Sequence, residues 1–383
     1  MEKPTMDSMF KLLRMAVFQS GEILTREEKA SLQKNLPALY SLSSSFDIAH
    51  LFYAVLLQQG VAEPGNETLK SFQKKQFSAL SRYGQMQSAF SLLCPALEAA
   101  KIPFVPLKGA VMRSLYPEPW MRTSCDIDVL IQKEDLPAAT ECLEAIGYQK
   151  TGSSPHDVSL YSPEGVHVEL HFDLVEEKRA NNAHAVLSKI DAHASLVTGS
   201  KYHYQLDDEM FYFYHLAHMA KHVETGGCGI RPFLDLFILE NLKEKNENAR
   251  RQLLKDGNLA AFAGRCTKLC RVWFGKEQPD EISTALEAYI LTGGIYGDSE
   301  RSIVVKQRKK GKIGYILSRI FPSFAYMKKV YPVLQKCPPL LPFCYFLRFF
   351  KLFSKKNADH AAVELKAAQN QTGLASLFEE LGL

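Results

Sequence analysis

The feature that most constrains this chain of 383 residues is a short segment in which polar and apolar residues alternate. Asp126 and Asp128 flank Ile127, and further apolar residues follow. In a β-strand successive side chains point to opposite faces, so the two aspartates share one face while Ile127 points into a core. Two neighbouring carboxylates repel each other unless positive charge lies between them. The pattern therefore predicts a strand that holds a hard divalent cation such as Mg²⁺, which prefers oxygen ligands.

A second alternating segment lies further along the chain, at residues 158–171. Val158 and Leu160 alternate with polar residues, residues 162–165 include proline and glycine, and alternation resumes at Val166. Two alternating runs around such a turn are typical of a β-hairpin.

On the second arm of this hairpin, His167, Glu169 and His171 share a face. If the arm lies beside the aspartate strand, Glu169 supplies the third carboxylate of a two-metal cluster. We expect His171 to orient a carboxylate or to contact substrate, and His167 to be a surface residue. The alternative is a zinc or iron site, because imidazoles at alternate positions suit transition metals.

A candidate anion-binding turn precedes the aspartates. Residues 102–107 read as a strand, and Gly109 and Ala110 open a short helix. Free amides at a helix N-terminus favour phosphate, and Lys108 adds positive charge. The turn is therefore expected to hold the triphosphate of a nucleotide.

The chain resembles a known family at these positions. The matching residues are Leu107-Lys-Gly-Ala110, Leu115-Tyr116, Arg122, Asp126-Ile-Asp128, Gly147-Tyr148 and Val168-Glu-Leu-His171. Together they resemble the uncharacterised bacterial nucleotidyltransferase family of the DNA polymerase beta superfamily, over roughly residues 100–350. The resemblance implies that Asp126, Asp128 and Glu169 are catalytic metal ligands and that Gly109 marks the nucleotide-holding turn.

This sequence departs from the superfamily pattern in two ways. The turn has Ala110 where the superfamily usually has serine or glycine, which removes a hydroxyl that often touches phosphate. The segment from Gly109 to Asp126 is also longer than usual.

The resemblance implies a Mg²⁺-dependent enzyme that transfers a nucleoside monophosphate from a nucleoside triphosphate to an acceptor hydroxyl and releases pyrophosphate. The acceptor stays open between a sugar, a small molecule, a protein side chain and RNA. The alternative is a non-catalytic nucleotide-binding regulatory or scaffold protein.

A helical region is predicted after the sheet. From Asp207 to Lys221 the sequence reads as a helix that places His215, His218 and His222 on one face. We expect a polar stripe facing the nucleotide cleft, with a metal site as the alternative.

The next helix opens at Arg231, and Asp235 follows one turn later. The two residues are expected either to form an i,i+4 pair or to contact phosphate and ribose. The nucleotide side of the site is assigned to the following residues: Lys108, Gly109, Arg122, His171, His222, Arg231 and Asp235.

The expected fold is α+β, a small mixed β-sheet nucleotidyltransferase core flanked by helices. A capping box at Thr25 and Glu28 and a long helix from about Thr68 to Ala100 are predicted before the core. These helices are expected to shield one side of the sheet or to pair with another subunit. The predicted division is a helical region (1–98), the core (99–206), a helical domain (207–300) and a basic aromatic segment (301–383).

Cysteine usage predicts the compartment. The eight cysteines include no CxxC pair, and the N-terminal residues lack the pattern of a signal peptide. A reducing cytoplasm is therefore expected, with peripheral membrane contact as an addition.

The basic segment is unusual in its charge. Residues 301–356 contain fourteen lysines and arginines and no acidic residue, with aromatic residues interleaved. The favoured interpretation is packing against the acidic remainder of the chain. An anionic membrane surface is the second interpretation, and nucleic acid is the third. The apolar residues 337–347 are too few and too interrupted by proline to span a bilayer.

Overall fold

A computed structural model of the chain describes residues 3–174, 181–293, 321–352 and 371–383. The α-helices up to the first long gap are α1 (Lys3–Phe18), α2 (Arg26–Ser45), α3 (Tyr53–Gln58), α4 (Glu67–Ala99), α5 (Lys108–Arg113), α6 (Leu136–Ala145), α7 (Ala183–Leu187), α8 (Asp208–Thr225), α9 (Arg231–Glu240), α10 (Glu247–Asp256), α11 (Ala260–Phe274) and α12 (Glu281–Gly293). The strands are β1 (Phe104–Pro106), β2 (Asp126–Ile131), β3 (Gln149–Ser153), β4 (Asp157–Tyr161), β5 (His167–His171), β6 (Ala194–Leu196) and β7 (Tyr204–Leu206). The α+β prediction is confirmed.

Five strands form the mixed sheet, in the order β1-β2-β5-β4-β3. The predicted hairpin is confirmed, because β4 and β5 pair in antiparallel fashion around a turn that ends at Gly165 with a φ of 76°. Strands β2 and β5 pair in parallel, and Asp128 lies opposite Glu169. Parallel neighbours need a long crossover connection, which α6 and the outer strands provide.

One face of the sheet is apolar and covered. Ile127 and Val129 of β2 and Val168 and Leu170 of β5 share a buried cluster with the C-terminal half of α4 and with α6. The alternate residues of both strands are only partly buried. The sheet therefore keeps its polar face available for a site.

A second core joins the helices that precede and follow the sheet. Its buried residues come from α1–α3, the start of α4, α8–α12 and the C-terminal helix Gln371–Leu381. Phe10 of α1 stacks on Trp273 of α11 with ring centroids 4.6 Å apart. The N-terminal helices thus belong with the later helices, and the helix predicted from about Thr68 is the 33-residue α4, which reaches both cores.

The capping box at the start of α2 is confirmed. The Thr25 side chain accepts a hydrogen bond from the Glu28 amide, and the Glu28 side chain accepts one from the Thr25 amide.

Part of the basic segment is described, and residues 301–320 and 353–356 lie outside the described residues. Residues 321–352 form three short helices, Phe324–Val330, Val333–Lys336 and Leu341–Leu352, around a small core of Met327, Leu334 and Cys344. Packing of this segment against the acidic remainder stays a prediction. In the described ranges no helix combines the length and the apolar character needed to cross a membrane.

Two glycines provide a matched test of the helical core. A Cβ at Gly257, just after α10, would overlap the ring of the buried Phe213, whereas a Cβ at Gly264 within α11 meets nothing within 4 Å. Gly257→Ala should destabilise the protein by about 1–3 kcal/mol through overpacking. Gly264→Ala should stabilise it by about 0.5–1 kcal/mol through helix propensity. Urea unfolding of both variants checks this, and equal signs would contradict the described packing.

Candidate active site

The register of β2 and β5 places several carboxylates together on the polar face of the sheet. Asp128 pairs with Glu169, and Asp126 pairs with His167. Donor atoms of Asp128, Glu169 and His171 all lie within 4.8 Å of one another, whereas Asp126 stands outside this closest set. The predicted neighbouring position of the two strands is therefore confirmed, and an imidazole joins the two central carboxylates.

His171 lies between these two carboxylates. Its Nε2 is 3.2 Å from Asp128 Oδ1 and 3.2 Å from Glu169 Oε2. Burial disfavours the charged imidazole, but the hydrogen bonds to Asp128 and Glu169 outweigh it and raise the pKa of His171 to about 9. Burial likewise opposes ionisation of Asp128, yet the bond from His171 keeps the pKa of that carboxyl below its usual value. A positive charge is thus held between two acids.

Asp126 has the opposite electrostatic situation. Burial, and then repulsion from Asp128 and Glu169, raise the pKa of Asp126 above its usual value. A cation near this carboxylate would relieve the repulsion. The donor set therefore fits a hard divalent ion, since it offers carboxylate oxygens in a place where negative charge is in excess.

Lys108 is the first residue of α5, and the amide of the preceding Leu107 donates to the Asp128 carbonyl at 2.9 Å. Nζ of Lys108 is 2.8 Å from Nδ1 of His218 on α8. Burial lowers the pKa of Lys108 to about 8 and lowers the pKa of His218 well below its ordinary value. At neutral pH the ammonium therefore donates to a neutral imidazole and keeps its charge. At the adjoining Gly109, a Cβ would lie 3.4 Å from Ser124 Oγ, so the turn packs closely on the loop that leads into β2.

The three histidines of α8 separate into two roles. His218 and His222 line the cleft, with ring centroids 4.5 Å apart. His215 is fully buried, its Nε2 donates to the Pro232 carbonyl 2.9 Å away, and burial lowers its pKa to about 4. The prediction of a polar stripe facing the cleft therefore holds for two of the three.

The predicted pair between Arg231 and Asp235 is wrong. Asp235 has no exposed surface, and both of its carboxylate oxygens bond to Arg122, with Arg122 Nη2 2.9 Å from Oδ2. The Tyr116 hydroxyl donates to Oδ1 at 2.8 Å. Asp235 faces the interior and does not line the cleft, so its expected contact with phosphate or ribose is corrected as well.

Arg231 instead holds the loop before β2. Its Nη1 donates to the Thr123 carbonyl at 2.6 Å and lies 3.5 Å from the carboxylate of Asp47. This arginine sits at the N-terminus of α9 and keeps partial exposure, whereas Asp235 is one turn further inside. Arg231 therefore pairs with Asp47, which is distant in the chain, and not with Asp235, its i,i+4 neighbour.

These groups surround a cleft of about 400 Å³ between the polar face of the sheet and α8. The predicted site residues on its walls are Lys108, Gly109, Arg122, Asp126, Asp128, Glu169, His171, His222 and Arg231. The sequence patterns did not identify Tyr214 and Lys221, or His218 as a partner of Lys108, and all three line the cleft from α8. Their spacing of four and three residues, one helical face, was the available signal.

Two further cleft residues come from the strand ends of the hairpin. His156 Nδ1 and Asp173 Oδ2 lie within hydrogen-bond distance, 3.1 Å apart, and both residues line the cleft. No alternation or spacing in the sequence marked them, because they follow or precede the strands themselves.

A small mixed sheet with paired carboxylates on one face, in a cleft that a buried lysine also lines, is typical of the nucleotidyltransferase class of protein. The model of the uncharacterised nucleotidyltransferase family matches residues 33–275 of the chain. The chain belongs to this family and is an enzyme of the nucleotidyltransferase class. No curated protein and no solved structure gives a significant match.

The family match begins earlier than the resemblance predicted from the motifs and ends earlier too. It includes α4 and part of the preceding helices, and it ends at residue 275, whereas the motif comparison extended to about residue 350. The shared unit is thus the sheet together with the helices on both sides of it.

Breaking the buried ion pair should cost stability. Asp235→Asn leaves the Arg122 charge uncompensated in the interior, so we expect a loss of about 3–5 kcal/mol in the free energy of unfolding. The control is Glu67→Gln in the exposed pair with Lys70, which should change stability by less than about 1 kcal/mol. Chemical denaturation of both variants measures the difference, and equal effects would contradict the pairing.

The same pair sets a pH dependence. Although burial opposes it, Arg122 holds the pKa of Asp235 down at about 2, below the unfolded value of about 3.9. A depressed pKa contributes stability above the unfolded pKa and loses it as pH falls through the folded pKa. The stability difference between wild type and Asp235→Asn should therefore shrink between about pH 4 and pH 2.

Proposed function

We propose that the protein transfers a nucleoside monophosphate from a nucleoside triphosphate to an acceptor hydroxyl, with Mg²⁺ as cofactor. The observation that carries the proposal is that Asp126, Asp128 and Glu169 share one sheet face and line the same cleft as Lys108. Carboxylates and an ammonium group in one cleft match a metal-bound triphosphate, because the cation needs the carboxylates and the phosphates need the positive charge.

Each group has a proposed role. Asp126, Asp128 and Glu169 would hold Mg²⁺, which supplies charge neutralisation at the phosphates and Lewis acidity at the reacting oxygens. His171 fixes the orientation of Asp128 and Glu169 through its two hydrogen bonds. The carboxylates are thereby held in place before substrate arrives.

The basic residues of the cleft would bind the triphosphate. Lys108 is buried and lines the cleft, and Lys221 and Arg231 line it as well. Positive groups that contact phosphate in a partly desolvated cleft stabilise charge in the transition state as well as in the bound substrate. The guanidinium of Arg122 is already paired with the Asp235 carboxylate, so its contribution is to position the loop that enters β2.

Removal of single carboxylates tests the proposal. Asp126→Asn and Asp128→Asn should each abolish Mg²⁺-dependent nucleotide binding, because the cation loses a charged ligand. Glu169→Gln should lower turnover more than binding if this carboxylate serves the reacting oxygens. Isothermal titration with Mg²⁺ and each nucleoside triphosphate measures binding, and pyrophosphate release with cell extract as acceptor source measures turnover.

The control is Glu134→Gln, an exposed acid in the turn after β2 that does not line the cleft. It should behave as wild type. Unchanged nucleotide affinity in both aspartate variants would contradict the site, and tight Mg²⁺-dependent binding without any pyrophosphate release would favour the regulatory alternative.

The pKa of Lys108 generates a pH prediction. Its folded pKa of about 8 lies below the ordinary value, so the ammonium loses its charge as pH rises through about 8. The ratio of wild-type to Lys108→Met affinity for Mg²⁺-nucleotide should therefore fall between pH 7 and pH 9. Titration of His171 occurs in both proteins and cancels in this ratio. A ratio that is constant over this range would contradict a phosphate contact by Lys108.

A further inference from the structure

A second concavity, here called the α4 groove, adjoins the cleft. It has a volume of about 470 Å³ and is lined by α4 and by residues 40–50 and 123–125. Ser124 and Cys125 line both the cleft and the α4 groove, and Asp126 follows them directly in the chain. The α4 groove therefore borders the cleft at the residues that lead into β2.

Positive charge lines the α4 groove. Lys74, Lys75 and Arg82 project into it from α4, and both lysines are exposed. Among the described residues neither lysine takes part in an ion pair. The Arg82 guanidinium donates to the Cys125 carbonyl at 2.7 Å, which fixes it at the boundary with the cleft.

One carboxylate, Asp47, also lines the α4 groove, and its charge is already offset. It accepts a hydrogen bond from Thr123 Oγ1 at 3.0 Å and forms an ion pair with Arg231. His50 is buried there and its ring donates to the Met121 carbonyl, and burial lowers its pKa, so its neutral imidazole adds no charge. The groove therefore presents net positive charge to a ligand.

The same face of α4 continues beyond the groove. Lys70, Lys74, Ser78 and Arg82 follow one another at four-residue spacing, which places them on one stripe. A shallower concavity of about 570 Å³ is lined by all four of these residues and by Phe77, which is 60% exposed. At 1.5 Å per residue the stripe is about 18 Å long, enough for more than one phosphate.

We propose that the α4 groove binds the acceptor and that this acceptor carries phosphate groups. The inference rests on the proposed nucleotidyl transfer. An uncharged acceptor gives no reason for Lys74 and Lys75, unpaired among the described residues, in a groove that adjoins the cleft, whereas phosphate oxygens pair with lysines directly. The phosphate belongs either to the end of a single-stranded oligonucleotide or to a phosphorylated sugar.

The reaction balances with this acceptor. An acceptor hydroxyl oxygen forms a bond to the α-phosphorus of the nucleoside triphosphate, and the bond from that phosphorus to the bridging β-oxygen breaks. Pyrophosphate leaves and the hydroxyl proton passes to solvent. The phosphate of the acceptor stays intact and serves only for binding in the groove.

The test is a charge reversal at two exposed positions, Lys74→Glu with Lys75→Glu. Binding is measured to a fluorescent single-stranded oligoribonucleotide and to glucose 6-phosphate, each without nucleoside triphosphate. The matched control, Lys150→Glu with Lys201→Glu, has the same charge change at exposed side chains outside both concavities. We expect the groove variant to lose about tenfold or more in affinity for one of these probes and the control to lose much less.

The two sources of phosphate are separated by Phe77→Ala. It should weaken oligoribonucleotide binding about fivefold or more if bases stack on this exposed ring, and it should leave glucose 6-phosphate binding unchanged. Weaker binding of either probe in the lysine variant supports the proposal. The proposal is overturned if wild type binds neither probe, or if the groove variant and its control lose equal affinity for the probes.

Failure of the groove proposal is distinguishable from failure of the proposed function. The groove variant should keep wild-type affinity for Mg²⁺-nucleotide. Asp126→Asn should lose that affinity but keep its affinity for the phosphate-bearing probe. Transfer to a bound probe should be lost in both variants. A groove variant that binds and extends the probe as wild type does would place the acceptor elsewhere.

Discussion

The buried ion pair between Arg122 and Asp235 is the interaction on which the arrangement of the site depends. Arg122 belongs to the loop that leads into β2, and Asp235 belongs to α9 of the helical core. The Tyr116 hydroxyl also donates to the Asp235 carboxylate, and Arg231 donates to Thr123 in the same loop. Because a desolvated charge without its partner is costly, the pair permits one docking of α9 against this loop. The start of α9 and the loop that leads into β2, which both line the cleft, are thereby held together.

The cleft brings opposite charges together. The sheet contributes Asp126, Asp128 and Glu169, and the start of α5 contributes Lys108. Both kinds of charge are incompletely compensated, since burial and repulsion raise the pKa of Asp126 and burial lowers the pKa of Lys108. His171 offsets only part of the acidic charge. A triphosphate with a divalent cation is complementary to both kinds of charge, and this complementarity is the reason to propose transfer chemistry for a family described only by its class.

Local patterns in the sequence predicted the parts of the site that local geometry determines. Alternation identified β2 and β5 and placed Asp128 and Glu169 on one face, because the strand period alone sets the face of each side chain. The partner of Asp235 was wrong, because an i,i+4 rule cannot anticipate Arg122, which is 113 residues away in the chain. The α4 groove was missed for a similar reason. Helical spacing places Lys70, Lys74 and Arg82 on one stripe, but only the tertiary fold brings Lys74 and Arg82 beside Ser124 and Cys125.

The most direct test of the account is a crystal structure of the protein with Mn²⁺ and a non-hydrolysable nucleoside triphosphate, with the metal located by anomalous scattering. Manganese suits oxygen ligands as magnesium does. The account predicts an anomalous peak at bonding distance, about 2.0–2.3 Å, from carboxylate oxygens of Asp126 and Asp128, with the triphosphate extending toward Lys108. Manganese bound instead at the group formed by His193, Asp207 and Glu209, with none at the aspartates, would contradict it.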